Sequence, residues 1–468
     1  MIKSLLAFFE GGPGRFQADE SQQKALQVLE DFVLGDQERG VQVLQGPAGS
    51  GKTFMMRALV QWMQALDRPV VLLAPTGRAA KVLARATRLR ANTLHRQLYR
   101  PVEENAGPTR GLRVRFELKA MERDEPCVFV VDEASMMGNG SGGGEALIRD
   151  LLQQIYDSSS WHKIILVGDP YQLPPVGEID SPAFRAETWV PWGCRFGQIH
   201  LEGRYRQGAD SPVLELAGRI LEWMQDARQG GTTAWWDEFS NWASEYAMGG
   251  TDEDPRWLPG LGPAVKDFHR HYEAGQTVFL AYSNAWVSRF NNRYRTLAQR
   301  RSGSRPQEGE TLLVVRNQYL AGGHMLANGE EVRLLRRVGR AHRHAGLMWS
   351  NAVLEWTGLD GEARDFESKI CLDLLESSQP GLNPVQQHAI WQARSMDGEL
   401  ERDPYMQALW VKYPYAQTVH KAQGGAWARV YLLLEKPYSV RDSMAYLRWL
   451  YTAVTRCSDQ LVLVQAKS

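Results

Sequence analysis

Gly46-Pro47-Ala48-Gly49-Ser50-Gly51-Lys52-Thr53 fits the pattern Gly-x-x-x-x-Gly-Lys-[Ser/Thr] at every position. Before it, Val41-Gln-Val-Leu44 reads as a short buried strand. After it, Met55, Leu59, Trp62 and Leu66 fall three to four residues apart and define one apolar helix face. Strand, glycine loop and helix in that order predict a nucleoside triphosphate site. The glycines let successive backbone N–H groups curl around a phosphate, and the N-terminus of the helix adds partial positive charge. Lys52 is then placed to reach the β- and γ-phosphates, and Thr53 to ligate Mg²⁺.

Composition sets the outer bounds. A chain of 468 residues holds two or three domains, and its 54 basic and 54 acidic residues cancel. That balance excludes a basic coat protein and confines any nucleic-acid site to a local groove. The four cysteines (Cys127, Cys194, Cys371 and Cys457) stand singly, which argues against a zinc site, an iron–sulfur cluster or a disulfide framework. The apolar start Leu5-Leu-Ala-Phe-Phe9 is cut by Glu10, too short for a signal peptide, and no run approaches a membrane span. A soluble, cytoplasmic protein is expected. Most of the 16 tryptophans are expected in cores, with a minority free to stack on bases.

Along the chain, buried strands repeatedly deliver polar turns. Asp19-Glu-Ser-Gln22 opens an amphipathic helix, and a glutamine amide there suits the edge of an adenine, donating and accepting at once. Val70-Val-Leu-Leu-Ala74 ends in Pro75-Thr76-Gly77-Arg78, and Asn92-Thr93-Leu-His95-Arg96 follows. Hydroxyl, backbone N–H and guanidinium at the end of a strand suit phosphodiester oxygens. Residues 100–118 read as a short β-hairpin punctuated by Pro101, Gly107-Pro108 and Gly111. Cys127-Val-Phe-Val-Val131 delivers Asp132-Glu133: one carboxylate suits Mg²⁺ and the other an attacking water. Lys163-Ile-Ile-Leu-Val167 leads into Gly168-Asp169-Pro-Tyr-Gln172-Leu-Pro-Pro-Val176, where two prolines stiffen the segment beyond a glutamine suited to sense the γ-phosphate.

The second half repeats the logic without a second glycine loop. Arg204-Tyr-Arg206-Gln207 precedes a helical stretch, and Val278-Phe-Leu-Ala281 ends in Tyr282-Ser283-Asn284. Tyr415-Ala-Gln-Thr418-Val-His420-Lys421-Ala-Gln423-Gly424 precedes the strand Val430–Leu434, and Leu450-Tyr-Thr452-Ala-Val-Thr455-Arg456 precedes Leu461–Val464. Between 301 and about 403, Val332–Leu335 and Ala352–Leu354 are expected strands of a β-rich insertion. The Trp- and Gly-rich stretch 223–263 receives no role.

The ordered set GPAGSGKT, APTGRAAK, VVDEAS, GDPYQLPPVG, YRQ, YSN, YAQTVHKAQG and LYTAVTR resembles the superfamily 1B helicases, most closely the RecD-like group. The resemblance spans residues 22–456. It implies an α/β fold with two RecA-like parallel-sheet domains, a small β-hairpin insertion in the first and a β-rich, SH3-like insertion in the second. The implied bounds are 1–188 for the first domain, with the hairpin at about 100–120. The second takes 189–300 and 410–468, with 301–409 as the insertion.

The same resemblance implies ATP and Mg²⁺ as cofactors and 5′-to-3′ movement on single-stranded DNA with unwinding of duplex. Gln22 would read adenine, and Lys52, Thr53, Asp132, Glu133 and Gln172 would serve phosphates, metal and water. Arg206 and Arg456 would act on the γ-phosphate. Thr76, Gly77, Arg78, Thr93, His95, Asn284, Thr418, His420 and Lys421 would line single-stranded DNA. Partners would be single strands and duplex junctions, with any replication or repair proteins unnamed and no membrane. Two departures stand out: Gly425 occupies a position where the family usually has Ser or Thr, and the hairpin is short for a strand-separating pin. The alternatives are the same motor on RNA and a nucleic-acid-binding ATPase switch or loader that does not unwind.

Overall fold

The structure is a computed structural model that describes residues 4–11, 17–104, 113–121, 125–138, 140, 146–202, 211–229, 235–298, 305–320, 325–358, 361–393, 403–435 and 443–466. The chain divides into two compact units, Met1–Val102 with Phe116–Asp210, and Glu103–Arg115 with Ser211–Ser468.

The first unit is built on a parallel sheet. Its strands are β1 (Gly40–Gln45), β2 (Val70–Ala74), β3 (Ala91–Thr93), β6 (Val128–Val131), β7 (Lys163–Gly168) and β8 (Arg195–His200). They lie in the order β3-β2-β6-β7-β1-β8, every neighbouring pair parallel. The central strands β1, β6 and β7 are buried at every residue, as strands covered on both faces must be. The helix Lys52–Ala65 buries Met55, Leu59 and Trp62, the face read from their spacing. Between β3 and β6 the chain makes a separate two-stranded ribbon, β4 (Tyr99–Glu104) with β5 (Arg113–Leu118). The turn joining them lies outside the described residues.

The second unit carries its own parallel sheet. Strands β9 (Trp257–Leu258), β10 (Thr277–Ala281), β18 (Ala416–Thr418), β19 (Trp427–Leu434) and β20 (Cys457–Gln465) lie in the order β18-β10-β19-β20-β9. Between β10 and β18 sits the β-rich insertion, an antiparallel sheet of five strands. These are β11 (Thr311–Val314), β14 (Glu331–His344), β15 (Leu347–Thr357), β16 (Ala363–Cys371) and β17 (Val411–Lys412), ordered β16-β15-β14-β11-β17. A small ribbon of β12 (Gln318–Tyr319) and β13 (Met325–Leu326) stands beside it. One apolar cluster runs through both, from Phe279, Tyr431 and Val462 of the parallel sheet to Leu312, Leu334 and Leu354 of the antiparallel one.

The tryptophan-rich stretch also finds its place. Trp235, Phe239, Trp242 and Tyr246 recur at helical spacing along the buried face of the helix Trp235–Met248. Their rings meet Trp223 and Tyr446, and the Tyr246 hydroxyl donates to the Leu461 carbonyl at 2.7 Å. These aromatics fill a core against β20. No helix among the described residues is long and apolar enough to cross a membrane.

Candidate functional site

Strand register sets the first site. Val131 of β6 pairs with Leu166 of β7, which pairs with Val43 of β1, so Asp132, Glu133, Gly168 and Gly46 all emerge at one carboxyl edge of the sheet. Leu73 of β2 pairs with Val131, and Ala74 with Thr93, so Thr76 and Thr93 belong to the same edge. Ligands of open α/β sheets bind at that edge.

The glycine loop is shaped for an anion. Gly49 and Gly51 both have φ +86°, a left-handed conformation that a side chain would strain. Gly46 N–H donates to the Gly168 carbonyl at 3.3 Å, tying the loop to β7. Lys52, first residue of its helix, donates from Nζ to the Gly46 and Pro47 carbonyls at 2.6 and 2.8 Å. The ammonium therefore lies folded over the mouth of the loop. Ser50 is fully buried, and among the described residues its Oγ has no hydrogen-bond partner; the same holds for Ser135 Oγ and Gln45 Nε2. Unsatisfied buried polar atoms around a loop of N–H donors fit a polyanion such as a triphosphate with its metal.

Gln22 belongs to this loop by contact. Its Oε1 accepts from the Asp19 N–H at 3.3 Å in a capping box. Its Nε2 lies 2.9 Å from where a Cβ on Gly51 would stand. Gly51→Ala therefore adds a methyl against Gln22 at a backbone angle that resists any side chain. Expected cost is about 1–3 kcal/mol of stability, together with weaker nucleotide binding; thermal melts with and without nucleotide check it.

The carboxylate pair sits on strained backbone. Glu133 has φ 52° and ψ 36°, a left-handed conformation rare for a non-glycine residue and concentrated at functional sites. Its N–H donates to Asp132 Oδ1 at 2.9 Å. On the neighbouring strand end, Asp169 is buried and its Oδ1 accepts from the Tyr171 N–H at 2.9 Å, which shapes the turn that holds the buried Gln172. The ends of β1, β6 and β7 thus bring together the loop, Asp132, Glu133 and Gln172, with Gln22 joining the loop from the start of the helix Glu20–Leu34.

Thr76 and Thr93 play local roles as helix caps. Thr76 Oγ1 accepts from the Ala79 N–H at 3.2 Å, leaving Gly77 and Arg78 in the first turn; Thr93 Oγ1 accepts from the Arg96 N–H at 3.2 Å. Capping directs the free N–H groups of both helices to the sheet edge. His95 packs on Tyr99, ring centroids 5.2 Å apart.

In the second unit, Ala281 pairs with Thr418, so Asn284, Thr418, His420 and Lys421 follow the carboxyl ends of adjacent strands. Burial lowers the pKa values of both His420 and Lys421. Arg456 is buried, its Nη1 donating to the Gly425 carbonyl at 3.1 Å. The glycine that departs from the family pattern thus supplies a backbone acceptor for this arginine. Arg206 lies outside the described residues.

Sequence reading passed over Asp169 as a turn-shaping group, the left-handed Glu133 and Lys412. The first two had a signal in their motifs; Lys412, in an unremarked Val-Lys-Tyr, had none.

A six-stranded parallel sheet with a glycine loop after β1 and a carboxylate pair after β6 defines a P-loop unit of the RecA-like kind. Model comparisons agree: residues 17–188 match the AAA domain and residues 413–464 the UvrD-like helicase C-terminal domain. The ATP-dependent RecD2 DNA helicase of Deinococcus radiodurans is 32% identical over 199 residues, 42% of this chain and 23% of that protein. The ATP-dependent DNA helicase Pif1 of a Psychrobacter species is 26% identical over 189 residues, 38% of this chain and 27% of that one. A Bacteroides Pif1 helicase in complex with ADP-AlF3 and ssDNA superposes with TM-score 0.51 at 16% identity, covering 97% of this chain and 93% of that one; it speaks to the fold. In these matched segments the chain is similar to helicases of superfamily 1B. Its match spans about a quarter of the length of these two curated relatives.

Proposed function

We propose that the chain is an ATP-dependent DNA helicase that moves 5′ to 3′ along single-stranded DNA and separates duplex. The observation that carries this reading is the convergence of the glycine loop, Asp132, Glu133 and Gln172 on one sheet edge, together with a second parallel sheet bearing Asn284, Thr418, His420 and Lys421 at its own. Motif order and the helicase relatives support it.

In this reading Gln22 orients adenine while the loop N–H groups and Lys52 hold the phosphates. Thr53 and Asp132 would hold Mg²⁺, which neutralises phosphate charge when bound. Glu133 takes the proton of the attacking water, and Gln172 positions that water. Thr76, Gly77, Arg78, Thr93 and His95 grip the nucleic-acid backbone on the first domain. Asn284, Thr418, His420 and Lys421 do so on the second. We assign the chain through β8 to the first domain, the rest to the second, and the stretch from β11 to β17 to its insertion. This moves both sequence-derived boundaries, because β8 pairs with β1 and β17 with β11. A cytoplasmic location is part of the proposal. Stacking in duplex DNA averages about 1.4 kcal/mol per base-pair step, so strand separation must draw on nucleotide turnover.

Forked duplexes with a single 5′ or 3′ tail test the proposal. Unwinding with ATP on the 5′-tailed substrate alone is the expected result. Unwinding from the 3′ tail overturns the polarity, and nucleic-acid-stimulated hydrolysis without unwinding overturns the helicase assignment in favour of a switch. Equal or greater stimulation by RNA of the same sequence overturns the choice of DNA.

A further inference from the structure

We propose that Lys412 joins Lys421 to form a phosphodiester-binding subsite in a groove of the second unit, occupied by one backbone phosphate of a single-stranded nucleic acid. The inference rests on the nucleic-acid reading above and adds to it a residue from the antiparallel insertion.

The groove lies where the helix Asn284–Arg293, β11, β17 and the segment after β18 meet. Leu313, Val315 and Leu375 give it an apolar floor, while Asn284, Ser288 and Thr418 supply neutral hydrogen-bonding groups. Both lysines line it. Lys412 Nζ donates to the Ser377 carbonyl at 2.5 Å, which fixes the ammonium at the wall and leaves its other N–H bonds for a further acceptor.

The charge balance of this groove is unusual. Two like-charged ammonium groups are half-buried side by side, and among the described residues neither forms an ion pair and no carboxylate lines the groove. Burial and the neighbouring Lys421 push the Lys412 pKa down to about 8. Lysines are seldom buried unless paired, and a pair of cations in partial burial is a cost that the fold bears alone. A phosphate removes it: one anion bridges both ammonium groups, favours their charged form and accepts from the Asn284 and Thr418 side chains. A carboxylate would offer fewer oxygens to this ring of donors. A polynucleotide brings the phosphate to a groove whose other residues already belong to the proposed strand-gripping turns.

The test measures binding of the full chain to a fluorescent oligothymidylate at several salt concentrations, for the natural protein, Lys412→Met and Lys412→Arg. For single strands each lost phosphate contact lowers the slope of log K against log salt by about 0.7. Lys412→Met is expected to show that reduction, bind several-fold more weakly at low salt and melt at a higher temperature without nucleic acid, since one of two repelling charges is gone. Lys412→Arg is expected to restore the slope, and hydrolysis without nucleic acid should not change in either variant. Inorganic phosphate at millimolar levels is expected to compete only weakly, because a free anion lacks the contacts of the rest of the strand. An unchanged slope in Lys412→Met overturns the subsite, as does a lower melting temperature with weakened binding at the same slope, which marks a packing role. Full competition by inorganic phosphate overturns the polynucleotide as occupant. If the natural protein binds no oligonucleotide, the functional reading itself fails, a result separate from any difference between variants.

Discussion

Lys52→Ala is expected to reduce nucleic-acid-stimulated ATP hydrolysis by 10²–10³-fold or more, on the order of the loss when one positioned donor to developing charge is removed. Single-strand binding should stay largely intact. Lys52 already lies over the loop, its ammonium donating to the Gly46 and Pro47 carbonyls, where a bound phosphate would meet it. Alanine takes away that charge and leaves the loop standing, because the Gly46–Gly168 and Ser50–Pro47 backbone bonds do not involve the side chain. The proposed strand-gripping residues lie on other turns. Steady-state hydrolysis and fluorescence anisotropy on the same preparation decide the matter. Equal loss of both activities would show that the division between a nucleotide edge and strand-gripping turns is wrong.

Arg456→Ala is expected to lower kcat by about 10³–10⁵-fold, the range for arginine fingers in phosphoryl transfer, with KM for ATP little altered. This residue is buried and its Nη1 donates to the Gly425 carbonyl, so main chain takes part in orienting its guanidinium. Arg456→Lys keeps the charge but lacks the planar fork, and activity should stay low. Melting curves of both variants separate this effect from a loss of folding. A rise in KM with kcat preserved removes Arg456 from the γ-phosphate role.

How legible the fold was depended on burial. Strands β1, β2, β6, β7, β10, β19 and β20 announce themselves as apolar runs, since a parallel strand covered on both faces has little room for polar residues. The short edge strands do not. Ala91–Thr93 and Arg195–His200 are polar enough to pass for loops, and the latter is wholly or partly exposed along its length. The nucleotide edge was readable because its chemistry needs backbone shapes that only particular residues allow, as at Gly49 and Gly51. Lys412 was not, because its place is set by the pairing of Val411 with Val314, residues distant in sequence. The aromatic stretch after Trp223 had a helical rhythm, but what it packs against, Tyr446 and Leu461, is specified two hundred residues later.

The antiparallel insertion has a consequence for how the polypeptide acquires its shape during synthesis. The first parallel sheet is complete once His200 has left the ribosome, whereas β10 must wait for β18 and β19, which begin at Ala416 and Trp427. Such a wait exposes apolar strand edges. The β11–β17 pairing, Leu313 with Lys412, brings the two ends of the intervening hundred or so residues together. Closing β10 onto β18 afterwards spans an effective loop about four times shorter, two halvings worth roughly 1.2 kcal/mol of closure entropy. The inserted module thus acts as a clasp that makes the late strands near neighbours of the early one.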